Sequence, residues 1–331
     1  MKAELMKRLF KGIFSEDVVS LKKIALTIIS DERELGHGIL ADALEHISVT
    51  EKPRFGVLSE KHVNGNGAGI TGLPTSKRDN SQLVSFVPRE LLKHHMILPV
   101  DVEKRLQSIE KEYAAKERLG KYNLSPKKKI LLHGAPGCGK TLSAERIAWN
   151  LGLPLLKVRF DALLSSYFGE SASNLRSVFD YCKRDPVVLL LDECDFIAKS
   201  RVTAQQDVGE VPRIVNMLLT LLDEYNAPGL VIATTNLKIT LDEALFRRFD
   251  DVIELPMPEV QEREKLLKMT LSAIPVDASV DLRVLAEQMD GYSYANIVLT
   301  AQRAAKHSVL AGNSQVGIQH FEQAIAEGSK F

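Results

Sequence analysis

The stretch GAPGCGKT, residues 134–141, decides the fold of this chain. It matches the pattern G-x-x-x-x-G-K-[ST], whose glycines let the backbone fold its N–H groups around a phosphate. The apolar run ILLH precedes the stretch and the helical pattern TLSAERIAWNLG follows it. A strand followed by a helix N-terminus is the context that a phosphate-binding loop requires, because the helix dipole places positive charge at the phosphate.

Side chains of this stretch suit a nucleotide and its metal ion. Lys140 would reach the β and γ phosphates, and Thr141 would ligate Mg²⁺ through its hydroxyl, so ATP and Mg²⁺ are the predicted cofactors. A glycine-rich turn with a chance lysine is the alternative, which the flanking strand and helix disfavour. The residues predicted to contact the nucleotide here are Gly134, Ala135, Pro136, Gly137, Cys138, Gly139, Lys140, Thr141 and Leu142.

Two carboxylates end the apolar run VVLLLDE, residues 187–193. Five consecutive apolar residues are typical of a central strand that is covered on both faces. Asp192 would hold Mg²⁺ directly or through water, and Glu193 would polarise the attacking water as general base. The same pattern can be a solvated turn, but the phosphate loop upstream favours the catalytic interpretation.

Polar residues after the last two apolar runs complete the predicted site. The run GLVIATTN ends at Asn236, which would orient the attacking water, although a turn-forming Asn is the alternative. Arg247 and Arg248 lie in LDEALFRRFD, and a guanidinium suits phosphate oxygens. The residues already named can fill the site within one subunit. We therefore expect the two arginines to serve the site of a neighbouring subunit, which implies a ring.

Around these motifs the chain divides into four stretches. Residues 1–48 have helical periodicity and predict a small N-terminal helical domain, whose apolar stripe either packs on itself, which is favoured, or binds a partner. Residues 49–88 are rich in Gly, Asn, Ser and charge and predict a flexible linker. Residues 89–257 alternate strand and helix patterns and predict an α/β domain with a five-stranded parallel sheet and flanking helices. Residues 258–331 predict a C-terminal four-helix lid.

Composition restricts the compartment and the class of partner. Lys plus Arg and Asp plus Glu both total 43, so the overall charge gives no attraction to nucleic acid or to an anionic membrane. The three cysteines lack metal-ligand spacing and are interpreted as free thiols of a reducing compartment. No run approaches the roughly 18 apolar residues of a membrane span, and the N-terminus lacks the pattern of a secretory signal. A cytoplasmic protein without membrane insertion is the expectation.

In order and spacing, GAPGCGKT, LLLDE, ATTN and LDEALFRRFD resemble the motifs of the AAA ATPases, specifically of the clade with a second region of homology. The resemblance covers about residues 90–327. It implies a homo-oligomeric ring, usually a hexamer, that uses ATP to pull on or remodel other proteins. It also implies that Asn236 is a sensor and that Arg247 and Arg248 are arginine fingers acting in trans.

Two further segments resemble functional parts of that family. GYSYANI is similar to the sensor-2 segment, which places Ala295 at the nucleotide, with Tyr294 where the family often has Gly. SSYFGES is similar to the first pore loop, which places Tyr167 and Phe168 on an axial channel, where aromatic side chains would grip a polypeptide. A half-buried aromatic pair is the alternative. A second pore loop is expected near residues 202–210.

The segment that enters the α/β domain carries a further expectation. By analogy with the same segment of the family, Ile97 and Leu98 are expected to contact adenine. The histidines of the chain show no metal spacing. His94 and His95 are therefore interpreted as surface or linker residues.

A short N-terminal helical unit that contains RELGHGILADAL, a polar linker, one AAA module and the segment LFRRFDDVIE follow one another in this chain. In this arrangement the chain resembles small bacterial AAA ATPases that occur beside a subtilisin-like serine protease, some of which have been linked to phage defence. Three hypotheses follow. The favoured one is a protein unfoldase or remodeller that feeds or regulates such a protease. The second is a nucleotide-timed switch that regulates a partner enzyme. The third is a nucleic-acid motor or loader, which the zero net charge disfavours.

Overall fold

The computed structural model describes residues 72–76, 80–164, 170–195, 210–236 and 246–328. The predicted N-terminal helical domain and most of the predicted linker lie outside these ranges. The strands are β1 Val84–Val87, β2 Lys129–His133, β3 Leu155–Val158, β4 Val188–Leu191, β5 Leu230–Thr235 and β6 Asp251–Glu254. The helices are α1 Val100–Ala114, α2 Lys116–Gly120, α3 Lys140–Leu151, α4 Phe160–Leu164, α5 Glu170–Cys182, α6 Glu210–Asp223, α7 Val260–Thr270, α8 Leu282–Gln288, α9 Tyr294–Leu310 and α10 Ile318–Gly328. A short 3₁₀ helix spans Arg89–Leu91.

The described strands form one mixed sheet with the order β1-β3-β4-β5-β2-β6. Strands β2 to β6 are parallel, as the sequence predicts, and the edge strand β1 is antiparallel to β3. The predicted count of five strands is therefore wrong by one. Strand β1 lies inside residues 49–88, which were assigned to the linker. Its four residues, VSFV, are too few to stand out as a strand, and its pairing with β3 supplies the hydrogen bonds that the local pattern does not indicate.

The centre of the sheet is buried on both faces. Every residue of β4 and β5 is buried, which matches their continuous apolar runs. Helices α1 and α3 contribute Leu106, Ile109 and Ile147 to the hydrophobic core against the sheet. Helices α5 and α6 pack against each other. This burial fixes the strand ends from which the polar residues of the site project.

The carboxyl ends of parallel strands lie at one edge of a sheet, where open α/β folds bind their ligands. Strands β4, β5 and β2 are neighbours in the sheet order. The phosphate loop follows β2, Asp192 follows β4 and Asn236 follows β5. The topology therefore brings three stretches that are distant in sequence to one edge.

Four helices, α7 to α10, lie in the described part of residues 258–331, for which the sequence predicts four helices. Asp281 and Ser293 cap the N-termini of α8 and α9, because their side chains accept hydrogen bonds from backbone N–H groups of the first turn. Helix α9 also contacts the phosphate loop, since the Ala295 N–H donates to the Gly137 carbonyl oxygen at 3.1 Å. The C-terminal helices thus form part of the surroundings of the site.

Cysteines 138, 182 and 194 are buried free thiols, as the sequence analysis expects. Within the described ranges, no helix combines the length and the apolar character that crossing a membrane requires.

Candidate functional site

Three glycines in the loop between β2 and α3 have backbone conformations that only glycine adopts without strain. Gly134, Gly137 and Gly139 have φ angles of 150°, 77° and 86°. A Cβ atom on Gly137 would lie 2.5 Å from Ser293 Oγ, and one on Gly134 would lie 2.2 Å from the Leu255 carbonyl oxygen. The missing side chains therefore let the loop pack closely against α9 and the end of β6. A loop of this form can direct backbone N–H groups at a phosphate.

Lys140, the first residue of α3, is bound to the loop that it follows. Its Nζ donates to the carbonyl oxygens of Gly134 and Ala135, at 2.9 Å each. The residue is 8 % exposed, and this burial lowers the pKa of its ammonium group. Two of the three N–H donors of Lys140 thus bind the loop, and a phosphate in the loop would offer the ammonium group a charged partner.

Asp192 lies at the centre of a hydrogen-bond network at the end of β4. Its Oδ1 accepts from Thr234 Oγ1 at 2.6 Å and from Thr141 Oγ1 at 3.0 Å. Its Oδ2 accepts from Lys157 Nζ at 2.6 Å. Burial by itself would raise the pKa of Asp192, but the hydrogen bonds from Lys157, Thr234 and Thr141 outweigh it, so the pKa is lowered. The carboxyl group is therefore ionised at neutral pH.

Glu193 has a strained backbone beside Asp192. Its φ angle is 56°, in the left-handed region that a residue with a side chain rarely adopts, and such residues cost about 1–3 kcal/mol. The strain is held in place because the Glu193 N–H donates to Thr234 Oγ1 at 2.9 Å. The residue is exposed. Thr234 thus holds both acids. Its hydroxyl donates to the Asp192 carboxylate, and its hydroxyl oxygen accepts from the Glu193 backbone N–H.

Asn236 is held by Asp195, a residue that the sequence analysis missed. The backbone N–H of Asn236 donates to Asp195 Oδ1 at 2.8 Å, and its side-chain Nδ2 donates to Oδ2 at 2.9 Å. Thr235 Oγ1 donates to Oδ1 as well, at 2.7 Å. Burial would raise the pKa of Asp195, but the hydrogen bonds from Thr235 and Asn236 outweigh it and lower that pKa. The only signal in the sequence was the third acid of DECD, residues 192–195.

Arg247 and Arg248 lie away from the phosphate loop of their own chain. They precede β6, whose first residue, Asp251, pairs with Ile130 in β2. The Asp250 carboxylate next to them accepts from the backbone N–H groups of Lys128 and Lys129, at the start of β2. The loop lies at the other end of β2, which spans roughly 15 Å. The structure therefore does not bring these arginines together with Lys140 and Asp192.

The two arginines have different surroundings. The Arg248 Nε donates to Asp223 Oδ2 at 2.9 Å, at the end of α6, and Arg248 is half-buried. Arg247 is exposed. The two guanidinium groups therefore differ in their exposure.

The segment before α1 passes close to the phosphate loop. A Cβ on Gly139 would lie 3.3 Å from Met96 Cε, and the neighbouring Ile97 and Leu98 pack against the hydrophobic core. His94 lies between helices, as the surface-or-linker expectation allows, but it is half-buried and its ring stacks on Trp149 with centroids 3.8 Å apart, whereas His95 is exposed. A cavity of about 440 Å³ lies here, lined by His94, His95, Met96, Ile97, Leu98, Glu103, Arg146, Asn150 and Met269.

The structure describes the predicted nucleotide-facing residue Ala295 but not the residues of the predicted first pore loop. Ala295 contacts the phosphate loop through its backbone N–H, and Tyr294 beside it is buried, which raises the pKa of its hydroxyl. The pore-loop residues Tyr167 and Phe168 lie outside the described residues, as does all but the last residue of 202–210.

The oxygen ligands around Asp192 suit a hard divalent cation that also binds phosphate oxygens. The Thr141 hydroxyl and the Asp192 carboxylate lie 3.0 Å apart and are oxygen donors, and the lowered pKa of Asp192 keeps it anionic. No cluster of three or more His, Cys, Asp or Glu side chains suited to a metal occurs in the described part of the chain. A small cation held by one carboxylate and by phosphate oxygens does not need such a cluster. The site can thus bind a polyphosphate and activate a water molecule near Glu193.

Two comparisons with known proteins agree with this chemistry. The family model for "ATPase family associated with various cellular activities (AAA)" matches residues 130–257, which run from β2 to just past β6. The chain is also similar to y4kL, an uncharacterized AAA family ATPase of Sinorhizobium fredii (strain NBRC 101917 / NGR234), with 31% identity over 329 residues. That alignment covers 99% of this chain and 96% of the relative. The similarity therefore extends well beyond the sheet in both directions.

Proposed function

Because this chain belongs to the AAA family of ATPases and is an ATP-hydrolysing enzyme, we propose that it works as a homo-oligomeric ring, most simply a hexamer, that unfolds or remodels a protein substrate. The position of Arg247 and Arg248 is the observation that carries the proposal. Their end of the sheet is opposite the phosphate loop of the same chain. Guanidinium groups that serve the reaction must then reach the site of a neighbouring copy.

Within each site, the residues of one copy bind the nucleotide. Lys140 leaves the loop carbonyls for the β and γ phosphates, and the backbone of residues 134–139 surrounds the phosphate oxygens. Thr141 and Asp192 would hold Mg²⁺, which would supply positive charge to the phosphate oxygens. Ile97 and Leu98, which pack against the hydrophobic core, contact the adenine, and Ala295, whose N–H is bonded to the phosphate loop, faces the nucleotide.

The reacting water is placed by residues of the same copy. The Glu193 carboxylate accepts a proton from this water, and the strained backbone of Glu193 supports that role because strain of this kind concentrates at functional sites. Asn236 orients the same water and is itself oriented by Asp195. A guanidinium of the neighbouring copy stabilises the charge that develops on the transferred phosphoryl group.

A subunit-mixing experiment tests the shared site. Glu193→Gln should bind ATP and hydrolyse almost none, and Arg247→Ala should bind ATP and hydrolyse it poorly. When the two variants are mixed in equal amounts, about a quarter of the interfaces in a ring pair an intact Glu193 with an intact Arg247. The steady-state ATPase rate of the mixture should therefore exceed that of either variant alone.

The matched control mixes Glu193→Gln with Asp192→Asn, which alter the same side of the site. No interface in that mixture has both acids intact, so its activity should stay low. Failure of the first mixture to recover activity at any ratio, with rings present by light scattering, would contradict catalysis between subunits. Specific activity should also fall on dilution below the concentration at which the ring assembles.

Remodelling is the second part of the proposal, and it is supported by the resemblance of SSYFGES to a pore loop. Tyr167→Ala should keep ATP hydrolysis within about twofold of the native rate and should lose ATP-dependent unfolding of a labelled, loosely folded protein. Tyr122→Ala is the control, because Tyr122 is an exposed tyrosine just after α2. Unfolding by Tyr167→Ala at the native rate would exclude threading and would favour a nucleotide-timed switch.

The most specific part of the proposal is a subtilisin-like serine protease partner, with a role in bacterial defence. It is supported by the resemblance of the whole chain to small bacterial AAA ATPases found beside such proteases. Affinity purification of Glu193→Gln with ATP should retain the partner, and purification of Lys140→Ala, which cannot hold ATP, should not. The absence of a serine protease from both samples would remove this part of the proposal alone.

A further inference from the structure

We propose that Lys157 is a positioning residue that acts through Asp192, where its ammonium group takes the place of Mg²⁺ when the metal is absent and competes with it. The Lys157 Nζ lies 2.6 Å from Asp192 Oδ2. The inference rests on the nucleotide site proposed above and concerns how that site gains and releases its metal. In the sequence, Lys157 lies in LLKVRF, and this pattern predicts only that it is a polar residue of a strand.

The topology places this lysine at the metal-binding carboxylate. Strand β3 is the parallel neighbour of β4, and Lys157 pairs with Leu190, two residues before Asp192. The Asp192 side chain is 9% exposed, so its negative charge has little water to balance it. An ammonium group at hydrogen-bond distance supplies that balance. Lys157 is therefore the nearest counter-charge to the carboxylate among the described residues.

The carboxylate has few lone pairs left for a metal ion. Thr234 donates to Oδ1 at 2.6 Å, Lys157 donates to Oδ2 at 2.6 Å, and Thr141 lies 3.0 Å from Oδ1 and 3.3 Å from Oδ2. Both lone pairs of Oδ1 accept hydrogen bonds, so a Mg²⁺ ion that binds through Asp192, directly or through a water molecule, would approach Oδ2. On that oxygen it meets the Lys157 ammonium group.

Lys157 is the donor that leaves most easily. Thr234 is 1% exposed and also accepts the Glu193 N–H, so moving it would disturb both acids. The Lys157 side chain is 43% exposed, and its flexible four-carbon stem can turn the ammonium group into water. Repulsion between the ammonium group and the incoming cation favours the same outcome. Lys157 therefore weakens the binding of Mg²⁺ and returns to Asp192 when the metal departs.

A titration of metal dependence tests this competition. Binding of a fluorescent ADP analogue to the full chain is measured while free Mg²⁺ is varied, for the native protein, Lys157→Met and Lys157→Arg. Lys157→Met keeps most of the stem without the charge, and we expect it to reach half-maximal binding at about 3- to 10-fold lower free Mg²⁺. Lys157→Arg keeps the charge and should stay within about twofold of the native midpoint.

Binding of Mn²⁺ alone, followed by electron paramagnetic resonance, gives a readout that does not depend on hydrolysis or nucleotide. The Mn²⁺ dissociation constant of Lys157→Met should fall by a similar factor. The control is Lys183→Met, which removes a surface lysine paired with Asp180 on α5 and should change neither midpoint. Lys157→Gln, a neutral polar variant, replaces Lys157→Met if thermal unfolding shows that the methionine variant does not fold.

The outcomes separate this inference from the proposed site. An unchanged or raised Mg²⁺ midpoint in both neutral variants overturns the role of Lys157. Weaker ADP binding by these variants at every Mg²⁺ concentration also overturns it, because Lys157 would then bind phosphate rather than compete with the metal. If the native protein and Lys140→Ala bind the ADP analogue equally, the proposed nucleotide site itself is wrong.

Discussion

Asn236 donates its backbone N–H and its side-chain amide to the two carboxylate oxygens of Asp195, at 2.8 and 2.9 Å. The contact joins the ends of the neighbouring strands β4 and β5, next to Asp192. The backbone N–H and the side-chain Nδ2 of Asn236 both bind this one carboxylate, so the side-chain amide has a fixed orientation. Its oxygen atom can then accept a hydrogen bond from a water molecule. Asp195 therefore positions the residue that was predicted to position the attacking water.

Replacement of Asp195 should affect catalysis more than binding. We expect Asp195→Ala to lower kcat for ATP hydrolysis by about 10- to 100-fold, because Asn236 loses both of its acceptors and a misplacement of about 1 Å is enough for such a loss. The dissociation constant for a fluorescent ATP analogue should change by less than about threefold. Asp185→Asn, in the exposed loop before β4, is the control. A fall in affinity as large as the fall in kcat would argue for a general loss of structure.

Gly137→Ala tests the contact between the phosphate loop and α9. Gly137 and Gly291 both have a φ angle of 77°, but a Cβ on Gly291 meets nothing within 4 Å, whereas one on Gly137 lies 2.5 Å from Ser293 Oγ. Gly291→Ala should cost about 1–2 kcal/mol of unfolding free energy from backbone strain alone. Gly137→Ala should cost more, by about 1–3 kcal/mol of overpacking, and should abolish nucleotide binding. Urea unfolding and ADP titration measure both quantities. An equal loss of unfolding free energy in the two variants would mean that the loop shifts and relieves the clash.

The Asp251 carboxylate should make stability depend on pH on the acidic side. Burial would raise the pKa of Asp251, but hydrogen bonds from Lys127 and Arg105 outweigh it and lower that pKa. A carboxylate whose pKa is lowered by folding stabilises the protein above its unfolded pKa of about 3.9, and this contribution is lost as the pH falls through the lower folded value.

We therefore expect Asp251→Asn to lower the unfolding free energy by about 1 kcal/mol at pH 7, with the partly exposed cations limiting the effect. Urea titrations should give a constant difference from the native protein between pH 7 and about pH 5, and a shrinking difference below about pH 4. Asp180→Asn, which breaks a surface ion pair with Lys183, is the control. A difference that grows as the pH falls would contradict the assigned direction of the pKa shift.

Arg247 and Arg248 should differ in their effects on hydrolysis. Arg247→Ala should lower kcat by about a thousandfold, since an arginine finger contributes on this scale. Asp223→Asn removes the partner of Arg248 Nε and should lower kcat several-fold, because Arg248 is then held less firmly. Since Asp223 is exposed, the melting temperature should stay nearly unchanged. Steady-state ATPase assays above the assembly concentration measure both. Arg184→Ala, an exposed arginine after α5, is the control. Native activity in Arg247→Ala would exclude Arg247 as the finger.

The elements that were predicted well share one property, which is that their signals are local. Strands β2 to β6 are apolar runs bounded by polar residues, and the phosphate loop is a contiguous motif between a strand and a helix. Asp192, Glu193 and Asn236 could be nominated because each directly follows such a run. The edge strand β1 was missed because four residues after a polar stretch carry no clear pattern.

The tertiary structure alone decided which side chains meet. Lys157 and Asp192 are 35 residues apart, Asp195 and Asn236 are 41 apart, and Arg248 and Asp223 are 25 apart. The sequence by itself determined that a strand, a phosphate loop and a helix occur in succession, since backbone conformation and burial depend on neighbouring residues. It did not determine the order β1-β3-β4-β5-β2-β6, because that order arises from hydrogen bonds and packing between strands that are distant along the chain. That order sets the partners of Asp192 and the distance between the arginines and their own phosphate loop.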